Sequence, residues 1–399
     1  MNQSTTNAAP RGSGLSRIAP FVLIIFATYL TVGMPLAAIP LQVHDMLGFG
    51  NLTVGMAVGG QSFVSLMTRQ FAGSLCDRRG AKFAVLIGGC VSIAAGAIYL
   101  LSTFLSLGAH GSLGMLLVAR AASGLAESLL MTGSLAWAIG AAGAQNTGKV
   151  MVWVGIGMYA AIAAGAPIGI QLMTHRGIVG GFAAVSVGTI VFSVLATSFA
   201  ILVPPVAPHG GQRLPFLNVA RRVAPSGAGL ALATLGFGAI GAFAALDFQH
   251  KGWSGAGFVL TGFGAAYIFT RVAFGGWPDR LGGARVAAWS LLIECAGQVL
   301  LWLATAPTVA FGGAILTGIG FSLVFPSFGI EAVKRVPPAS RGAALGAYAA
   351  FFDVGLGLAG PITGVIAGNF GYPSVFAAGA LGAIAALFAT RRTPGNASG

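Results

Sequence analysis

The sequence predicts an all-α polytopic membrane protein with about twelve transmembrane helices, arranged as two pseudo-symmetric six-helix bundles with both termini in the cytoplasm. Three observations support this fold class. Of the 399 residues, 56% are hydrophobic and 7% are charged, whereas soluble domains carry about a quarter charged residues. Apolar stretches long enough to cross a bilayer recur along the chain. The two halves also share a repeated pattern of glycines and charged residues.

The predicted membrane spans are stretches of roughly 20 predominantly apolar residues, the length that an α-helix needs to cross the hydrocarbon core. The first six lie near residues 18–42, 52–75, 82–106, 112–138, 149–173 and 178–203. The second six lie near residues 226–249, 255–278, 284–305, 309–334, 342–367 and 371–390. We therefore expect a cytoplasmic tail at 1–17, a bundle at 18–203, a cytoplasmic linker at 204–224, a second bundle at 225–391 and a cytoplasmic tail at 392–399.

The positive charge of the chain predicts its orientation. With the N-terminus inside, 18 of the 21 lysines and arginines fall on cytoplasmic segments or helix ends, as the positive-inside rule requires. Arg176 and Lys251 lie outside, and Arg120 lies within the fourth span. Because topology accounts for the net charge of +13, we expect no nucleic-acid partner.

The cysteines and motifs argue against an enzyme. Cys76, Cys90 and Cys295 fall in or beside apolar segments without metal-ligand spacing, so we expect neither a disulfide framework nor a metal site. The sequence shows no nucleotide-binding loop and no catalytic constellation. We therefore expect no cofactor, and a membrane enzyme or receptor is disfavoured.

An internal repeat relates the two halves. At an offset of 202 residues, ten positions are identical in one register, and four of them are charged. They are Asp45 with Asp247, Gly50 with Gly252, Gly55 with Gly257, Gly60 with Gly262, Thr68-Arg69 with Thr270-Arg271, Gly73 with Gly275, Asp77-Arg78 with Asp279-Arg280, and Gly80 with Gly282. A second match, at an offset of 194, pairs Gly148 with Gly342 and Pro167-Ile168 with Pro361-Ile362. Parallel repeats of this kind place a pathway at the interface between the halves.

The most specific part of the repeat is a short loop after the second and eighth spans. Gly73-Ser-Leu-Cys-Asp77-Arg78-Arg-Gly80-Ala-Lys82 recurs as Gly275-Gly-Trp-Pro-Asp279-Arg280-Leu-Gly282-Gly-Ala-Arg285. Both loops resemble the G-x-L-x-D-R-x-G-x-K/R loop of the major facilitator superfamily, with Trp277 in place of the leucine in the second copy. The resemblance implies two six-helix bundles that expose a central site to alternate sides of the membrane.

Further segments extend the resemblance over most of the chain. They are Gly33 to Pro35 and Pro40 in the first span, Arg120-x-x-x-Gly124 in the fourth, Gly165-Ala-Pro167 in the fifth and Gly360-Pro361 in the eleventh. These are similar to the proline-containing first helix, the intramembrane arginine motif and the glycine-proline motif of drug:proton antiporters. The chain most resembles bacterial inner-membrane permeases of the drug-efflux or sugar-efflux type.

The repeated loops are predicted to form a conformational latch. Loops with glycines at both ends turn tightly, and a carboxylate within them is able to accept hydrogen bonds from a helix N-terminus. The resemblance implies that Asp77 faces the start of the eleventh span, and the repeat places Asp279 near the fifth. The latch residues are Gly73, Asp77, Arg78, Gly80, Asp279 and Arg280. Alternatively, the loops only turn the chain and hold it inside by their charge.

Ionisable residues at membrane depth are functional candidates, because burying a charge in lipid is costly. The candidates for proton coupling or substrate binding are Arg120, Glu127, Glu294 and Asp353. Arg120 and Glu127 are seven residues apart, which places them on one helix face. A carboxylate in a low dielectric also binds a proton more readily than one in water. The alternatives are a buried Arg120–Glu127 ion pair and hydrogen-bonded packing roles for Glu127 and Asp353.

Two further sets of residues are candidates for function. Pro167 and Pro361 cannot donate a backbone hydrogen bond, so they are predicted helix hinges; the alternative is a static bend. Tyr29 and Gln61 lie in helices that line the cavity in the superfamily, and we expect them to be polar cavity residues.

These expectations describe a secondary active transporter that works by alternating access. We expect efflux of small organic compounds, such as sugars or drugs, in exchange for protons. The alternative is proton-coupled uptake of a sugar or organic acid, because a membrane arginine is able to bind an anionic substrate. The expected partners are a small-molecule substrate, protons and the lipid bilayer, and the expected assembly is a monomer.

Overall fold

The computed structural model describes residues 14–105, 107–143, 146–175, 180–206, 216–336 and 341–391. The long helices of the first half are α1 Gly14–Leu41, α2 Asn51–Arg79, α3 Ala81–Phe104, α4 Gly108–Ala142, α5 Thr147–Thr174 and α6 Phe182–Leu202. Those of the second half are α7 Phe216–His250, α8 Gly257–Phe274, α9 Gly283–Trp302, α10 Pro307–Lys334, α11 Arg341–Phe370 and α12 Pro373–Arg391. A π-helical turn, Gln42–Met46, follows α1, and a five-residue helix, Trp277–Leu281, precedes α9.

The twelve long helices of the described residues confirm the predicted all-α membrane fold. Eleven of these helices are long and apolar enough to cross a membrane. The exception is α2, because it carries several polar and charged side chains, among them Gln61, Arg69 and Asp77. This more polar helix contributes to the central site described below.

Helix α7 begins at Phe216, which is earlier than the sequence predicts. The final part of the predicted linker 204–224 is therefore helical, and α7 extends beyond the predicted membrane span 226–249. An α-helix satisfies its own backbone hydrogen bonds, so it is able to continue beyond the lipid into water. An apolar run marks the membrane crossing but not the end of the helix.

Each half packs as its own bundle. In the first half, α1 packs against α4, α5 and α6, and α4 packs against α2 and α3. In the second half, α7 packs against α10, α11 and α12, and α9 packs against α10 and α12. The halves meet through α1 with α7, α2 with α11, and α5 with α8. The last two pairs are equivalent under the repeat, as expected for two related bundles.

Glycines form equivalent turns in the two halves. Gly80 separates α2 from α3 with a φ of 93°, and Gly282 separates the five-residue helix from α9 with a φ of 90°. Glycine adopts positive φ values without the steric cost that other residues incur. The predicted tight turns are therefore present in both copies of the loop.

The two halves approach closely at their outer ends, opposite the positively charged loops. A Cβ atom added to Gly55 of α2 would overlap the carbonyl oxygen of Gly360 on α11. In the other helix pair, a Cβ atom added to Gly257 of α8 would lie 2.7 Å from Cα of Pro167 on α5. Small residues allow membrane helices to pack backbone to backbone, and here they bring the outer ends of the two halves into contact.

Candidate functional site

A narrow cavity lies between the two halves at the centre of the molecule. Its free volume is about 60 Å³, which is room for a few water molecules. The first half contributes Tyr29, Gln61, Arg120 and Glu127 to the lining, and the second contributes Phe237 and Phe352. The cavity therefore occupies the interface at which the repeat places the pathway, and it has one polar wall and one aromatic wall.

Gln61 of α2 connects Arg120 to Glu127 on α4. Arg120 Nη1 donates a hydrogen bond to Gln61 Oε1, and Gln61 Nε2 donates one to Glu127 Oε2 at 2.7 Å. The prediction that Arg120 and Glu127 share a helix face is confirmed. The alternative of a direct ion pair between them is wrong, because the amide of Gln61 lies between the two charges and bonds to both.

Arg120 also binds the backbone of α2. Its Nε donates to the carbonyl oxygen of Ala57 at 2.7 Å, and its Nη2 donates to that of Val58 at 2.6 Å. The side chain is buried, and three of its nitrogens make hydrogen bonds within the first half. Arg120 therefore joins α4 to α2 and orients Gln61.

Glu127 is the acidic group of the polar wall. Tyr29 OH donates a hydrogen bond to its Oε1 at 3.2 Å, so the two predicted polar cavity residues, Tyr29 and Gln61, hold the same carboxylate. Glu127 remains partly exposed, whereas Tyr29, Gln61 and Arg120 are buried. The carboxylate is therefore held in one orientation while it stays open to the cavity.

An ion pair joins the two halves beside this wall. Arg69 Nη2 of α2 lies 2.5 Å from Oδ2 of Asp353 on α11, and Asp353 is close enough to Glu127 for the two carboxylates to interact electrostatically. Sequence reasoning counted Arg69 among the cytoplasmic charges, which is wrong for its side chain. The position of Arg69 inside the predicted span 52–75 is the sequence feature that indicates an intramembrane side chain.

The second half forms an aromatic wall. Phe237 stacks on Phe263 with ring centroids 5.1 Å apart, and Tyr159 of α5, from the first half, packs against Phe237 with centroids 5.6 Å apart. Phe352 joins the same group through Phe321. The apolar helical pattern hid this cluster, because hydropathy identifies a membrane helix but does not show which of its faces meets lipid and which meets a site.

Glu294 lies away from the cavity. It sits on α9 with no exposed surface, against the backbone of Gly236 on α7 and Gly320 on α10. Both carboxylate oxygens are without a hydrogen-bond partner among the described residues. The structure therefore brings together Arg120, Glu127 and Asp353 but does not bring Glu294 to them.

The predicted latch and hinges lie at either end of the interface between the halves. Asp77 and Asp279 are exposed at the cytoplasmic ends, and residues 337–340, before the start of α11, lie outside the described residues. Pro361 and Pro167 lie in the two outer contacts, beside Gly59 and Gly257. The contacts of the described residues do not test a latch or a hinge, so these roles stay predictions.

This arrangement is able to combine proton binding with movement of the halves. Asp353 is buried beside Arg69 at the interface, and protonation of a buried carboxylate removes its attraction to a neighbouring cation. Glu127 presents a second carboxylate to the same space. The aromatic wall offers an apolar surface for the body of an organic molecule.

Comparison with known proteins agrees with this architecture. A family model described as the Major Facilitator Superfamily matches residues 21–254 and 226–399. An uncharacterised MFS-type transporter of Pseudomonas aeruginosa is 43% identical over 387 residues, covering 95% of this chain and 95% of the relative. One from Burkholderia pseudomallei is 42% identical over 371 residues, covering 93% of this chain and 90% of the relative.

A solved structure shares the fold at low sequence identity. The crystal structure of a D-xylose-proton symporter superposes with a TM-score of 0.77 at 16% identity, covering 94% of this chain and 98% of the symporter. The family model and the two bacterial relatives extend over nearly the whole chain. The chain therefore belongs to the major facilitator superfamily and is a multi-pass membrane transporter.

Proposed function

We propose that the protein exports small organic compounds, such as sugars or drugs, in exchange for protons by alternating access. The ion pair between Arg69 and Asp353 supports this proposal, because it joins the two halves beside the cavity. A proton on Asp353 removes the negative charge and leaves at most a weaker hydrogen bond to Arg69. The halves then separate more readily at this contact, so proton binding and conformational change become coupled.

Glu127 is proposed as the second proton or substrate ligand. Gln61 and Tyr29 hold its carboxylate towards the cavity, where a substrate would displace water and change its surroundings. Glu127 and Asp353 repel each other when both are ionised, so occupancy at one carboxylate changes the charge state that is favoured at the other. Arg120 is proposed to orient this network through Gln61. A proton-coupling role for Glu294 has no support from the cavity.

The conformational residues complete the proposal. Gly73, Asp77, Arg78, Gly80, Asp279 and Arg280 are proposed to form a cytoplasmic latch that stabilises the outward-facing state. Pro167 and Pro361 are proposed as hinges, since they lie where α5 contacts α8 and where α2 contacts α11. Both prolines lack the backbone donor that would stiffen the helix at that point.

We propose that the protein works as a monomer in a bacterial inner membrane, with 204–224 linking bundles at 18–203 and 225–391. The two bacterial relatives and the positive charge of the cytoplasmic loops support this location. The alternative function is proton-coupled uptake of a sugar or organic acid, which has the coupling named for the structurally similar D-xylose-proton symporter.

Transport assays in everted membrane vesicles test the proposal. With an acidic lumen, an exported compound added outside should release protons, measured as recovery of fluorescence from a pH-sensitive dye, in a screen of sugars and amphiphilic drugs. Asp353→Asn and Glu127→Gln should abolish this response. Glu331→Gln is the matched control, because Glu331 pairs with Lys334 at the cytoplasmic end of α10.

The outcomes separate the two directions of transport. If no compound releases protons from everted vesicles while one of them drives proton uptake into right-side-out vesicles, the protein is a symporter. If Asp353→Asn retains full proton release, coupling through the Arg69–Asp353 pair is wrong.

A further inference from the structure

The repeat places equivalent arginines in the two helix pairs that join the halves. Arg69 of α2 corresponds to Arg271 of α8 at the offset of 202. The partner of Arg69 is Asp353 on α11, and the offset of 194 that relates α5 to α11 places Tyr159 at the position equivalent to Asp353. Arg69 is therefore paired with a carboxylate, whereas the position equivalent to that carboxylate in the other helix pair holds a tyrosine.

Arg271 is a buried cation without a counter-ion among the described residues. Its side chain is 6% exposed. Its Nη2 donates a hydrogen bond to Tyr267 OH, its guanidinium carbon lies 5.1 Å from the centre of the Tyr267 ring, and its Nε has no hydrogen-bond partner. A buried charge in a membrane protein normally has an opposite charge beside it, so this site has the electrostatic demand for an anion.

The surroundings of Arg271 lead to the central cavity through aromatic rings. Tyr267 packs against Tyr159 with ring centroids 3.9 Å apart, and Tyr159 lines the cavity together with Phe237 and Phe352. Arg271 also approaches α5, since a Cβ atom added to Gly155 would lie 3.8 Å from its Nη2. The site therefore combines a buried guanidinium group, an Nε–H donor without a partner among the described residues, and aromatic rings that extend to the central cavity.

We infer that Arg271 binds the anionic group of an organic-anion substrate, whose apolar body packs on Tyr159, Tyr267 and the aromatic wall. The substrate carboxylate takes the place beside Arg271 that Asp353 takes beside Arg69. Arginine suits this role because its planar guanidinium binds a carboxylate through two parallel hydrogen bonds. The inference rests on the proposed transport function and names its substrate class.

A binding experiment on the full-length protein in detergent tests this assignment. The probes are benzoate, phenylacetate and 3-phenylpropionate, each compared with its neutral amide, and the readout is the thermal unfolding midpoint as a function of probe concentration. At least one carboxylate should stabilise the protein at concentrations at which its amide does not. Arg271→Gln should weaken that binding about 10- to 100-fold, the loss expected for hydrogen bonds to a charged group.

A second variant tests the symmetry argument itself. Tyr159→Asp supplies Arg271 with an internal carboxylate, as Asp353 does for Arg69, and should weaken probe binding as strongly as Arg271→Gln. Tyr159→Asn has a similar size without the charge and should weaken binding less. Arg285→Gln, at an exposed arginine near the start of α9, should leave binding unchanged. If Arg271→Gln does not fold, the comparison of Tyr159→Asp with Tyr159→Asn decides the question.

Three outcomes would overturn the assignment. In the first, carboxylates and their amides stabilise the protein equally. In the second, Tyr159→Asp and Tyr159→Asn weaken probe binding equally. In the third, phosphatidylglycerol stabilises the protein and no carboxylate does, which would identify a lipid headgroup as the anion. Proteoliposome assays separate this inference from the proposed function. If carboxylates bind but move no protons, the proposed proton coupling is wrong and the anion site stands. If neutral compounds move protons and no carboxylate binds, the anion site is wrong and the proposed coupling stands.

Discussion

The two halves contribute opposite kinds of surface to one cavity. The first half supplies a hydrogen-bonded network in which Gln61 connects Arg120 to Glu127. The second supplies stacked rings, such as Phe237 on Phe263. The bundles have related sequences and related packing, yet the hydrogen-bonded network lies on one wall and the stacked rings lie on the other. A repeat can thus preserve a fold while its two copies divide the chemistry between them.

The same divergence is visible in the two repeated arginines. Arg69 is neutralised by Asp353 of the opposite half, whereas Arg271 bonds to Tyr267, whose ring packs against Tyr159. A mutation that removes one member of a buried ion pair leaves an uncompensated charge, but removal of a charge that has no partner does not. Mutations at these positions therefore provide the most sensitive tests of the comparison.

The largest effect is expected at the ion pair between the halves. Arg69→Gln should lower the free energy of unfolding by about 3–5 kcal/mol, because it leaves the carboxylate of Asp353 buried without its cation. Asp353→Asn should lower it less, because the side chain of Arg69 is 24% exposed. The double variant should lose less than the sum of the two. Chemical unfolding in detergent measures all three changes. Arg271→Gln should leave stability unchanged or raise it, and a loss as large as that of Arg69→Gln would show that the two arginines are equivalent.

A smaller effect is expected at the buried glutamines, which test the difference between the walls. Gln61→Leu removes hydrogen bonds to two charged groups and should cost about 3 kcal/mol. Gln298→Leu removes bonds to neutral partners, the Gly236 carbonyl and Thr317 Oγ1, and should cost about 1 kcal/mol. Unfolding midpoints of the two variants give the comparison. Equal losses would mean that the polar wall has no special electrostatic role.

The outer contact should be sensitive to a single methyl group. Gly55→Ala forces α2 away from Gly360 and should cost about 1–3 kcal/mol, as other overpacking substitutions do. Gly60→Ala on the same helix is the control, since a Cβ atom there meets no neighbour within 4 Å. Alanine is the better helix former, so this control should be neutral or slightly stabilising. Thermal unfolding of both variants checks the prediction, which fails if Gly55→Ala matches its control.

The smallest effect on stability is expected at the aromatic wall. Phe237→Leu keeps an apolar side chain but removes a stacked ring, and should cost about 1 kcal/mol. Substrate affinity should fall, while proton release at saturating substrate should persist because Asp353 and Glu127 are untouched. Concentration dependence of proton release in vesicles measures both quantities. Loss of proton release at every substrate concentration would mean that the two walls are not separable in function.

Much of the architecture follows from local patterns in the sequence. Hydropathy predicts the helices, the lysine and arginine asymmetry predicts their orientation, and Gly80 and Gly282 predict the two turns, because each depends on residues close together in the chain. The start of α7 at Phe216 was missed, since lipid contact and helix length are different properties. For the site, the helix face shared by Arg120 and Glu127 followed from their spacing.

The pairing of residues between helices was decided by the tertiary structure alone. Arg69 and Asp353 are far apart in the sequence and meet only because α2 and α11 face each other at one depth and rotation. The sequence alone determined that two halves carry equivalent arginines, through the identity of Arg69 and Arg271 in one register. Only the fold decided that one arginine is neutralised and the other is not. Successive side chains on a helix point in directions about 100° apart, so the contacts of a side chain depend on which neighbouring helix lies in its direction.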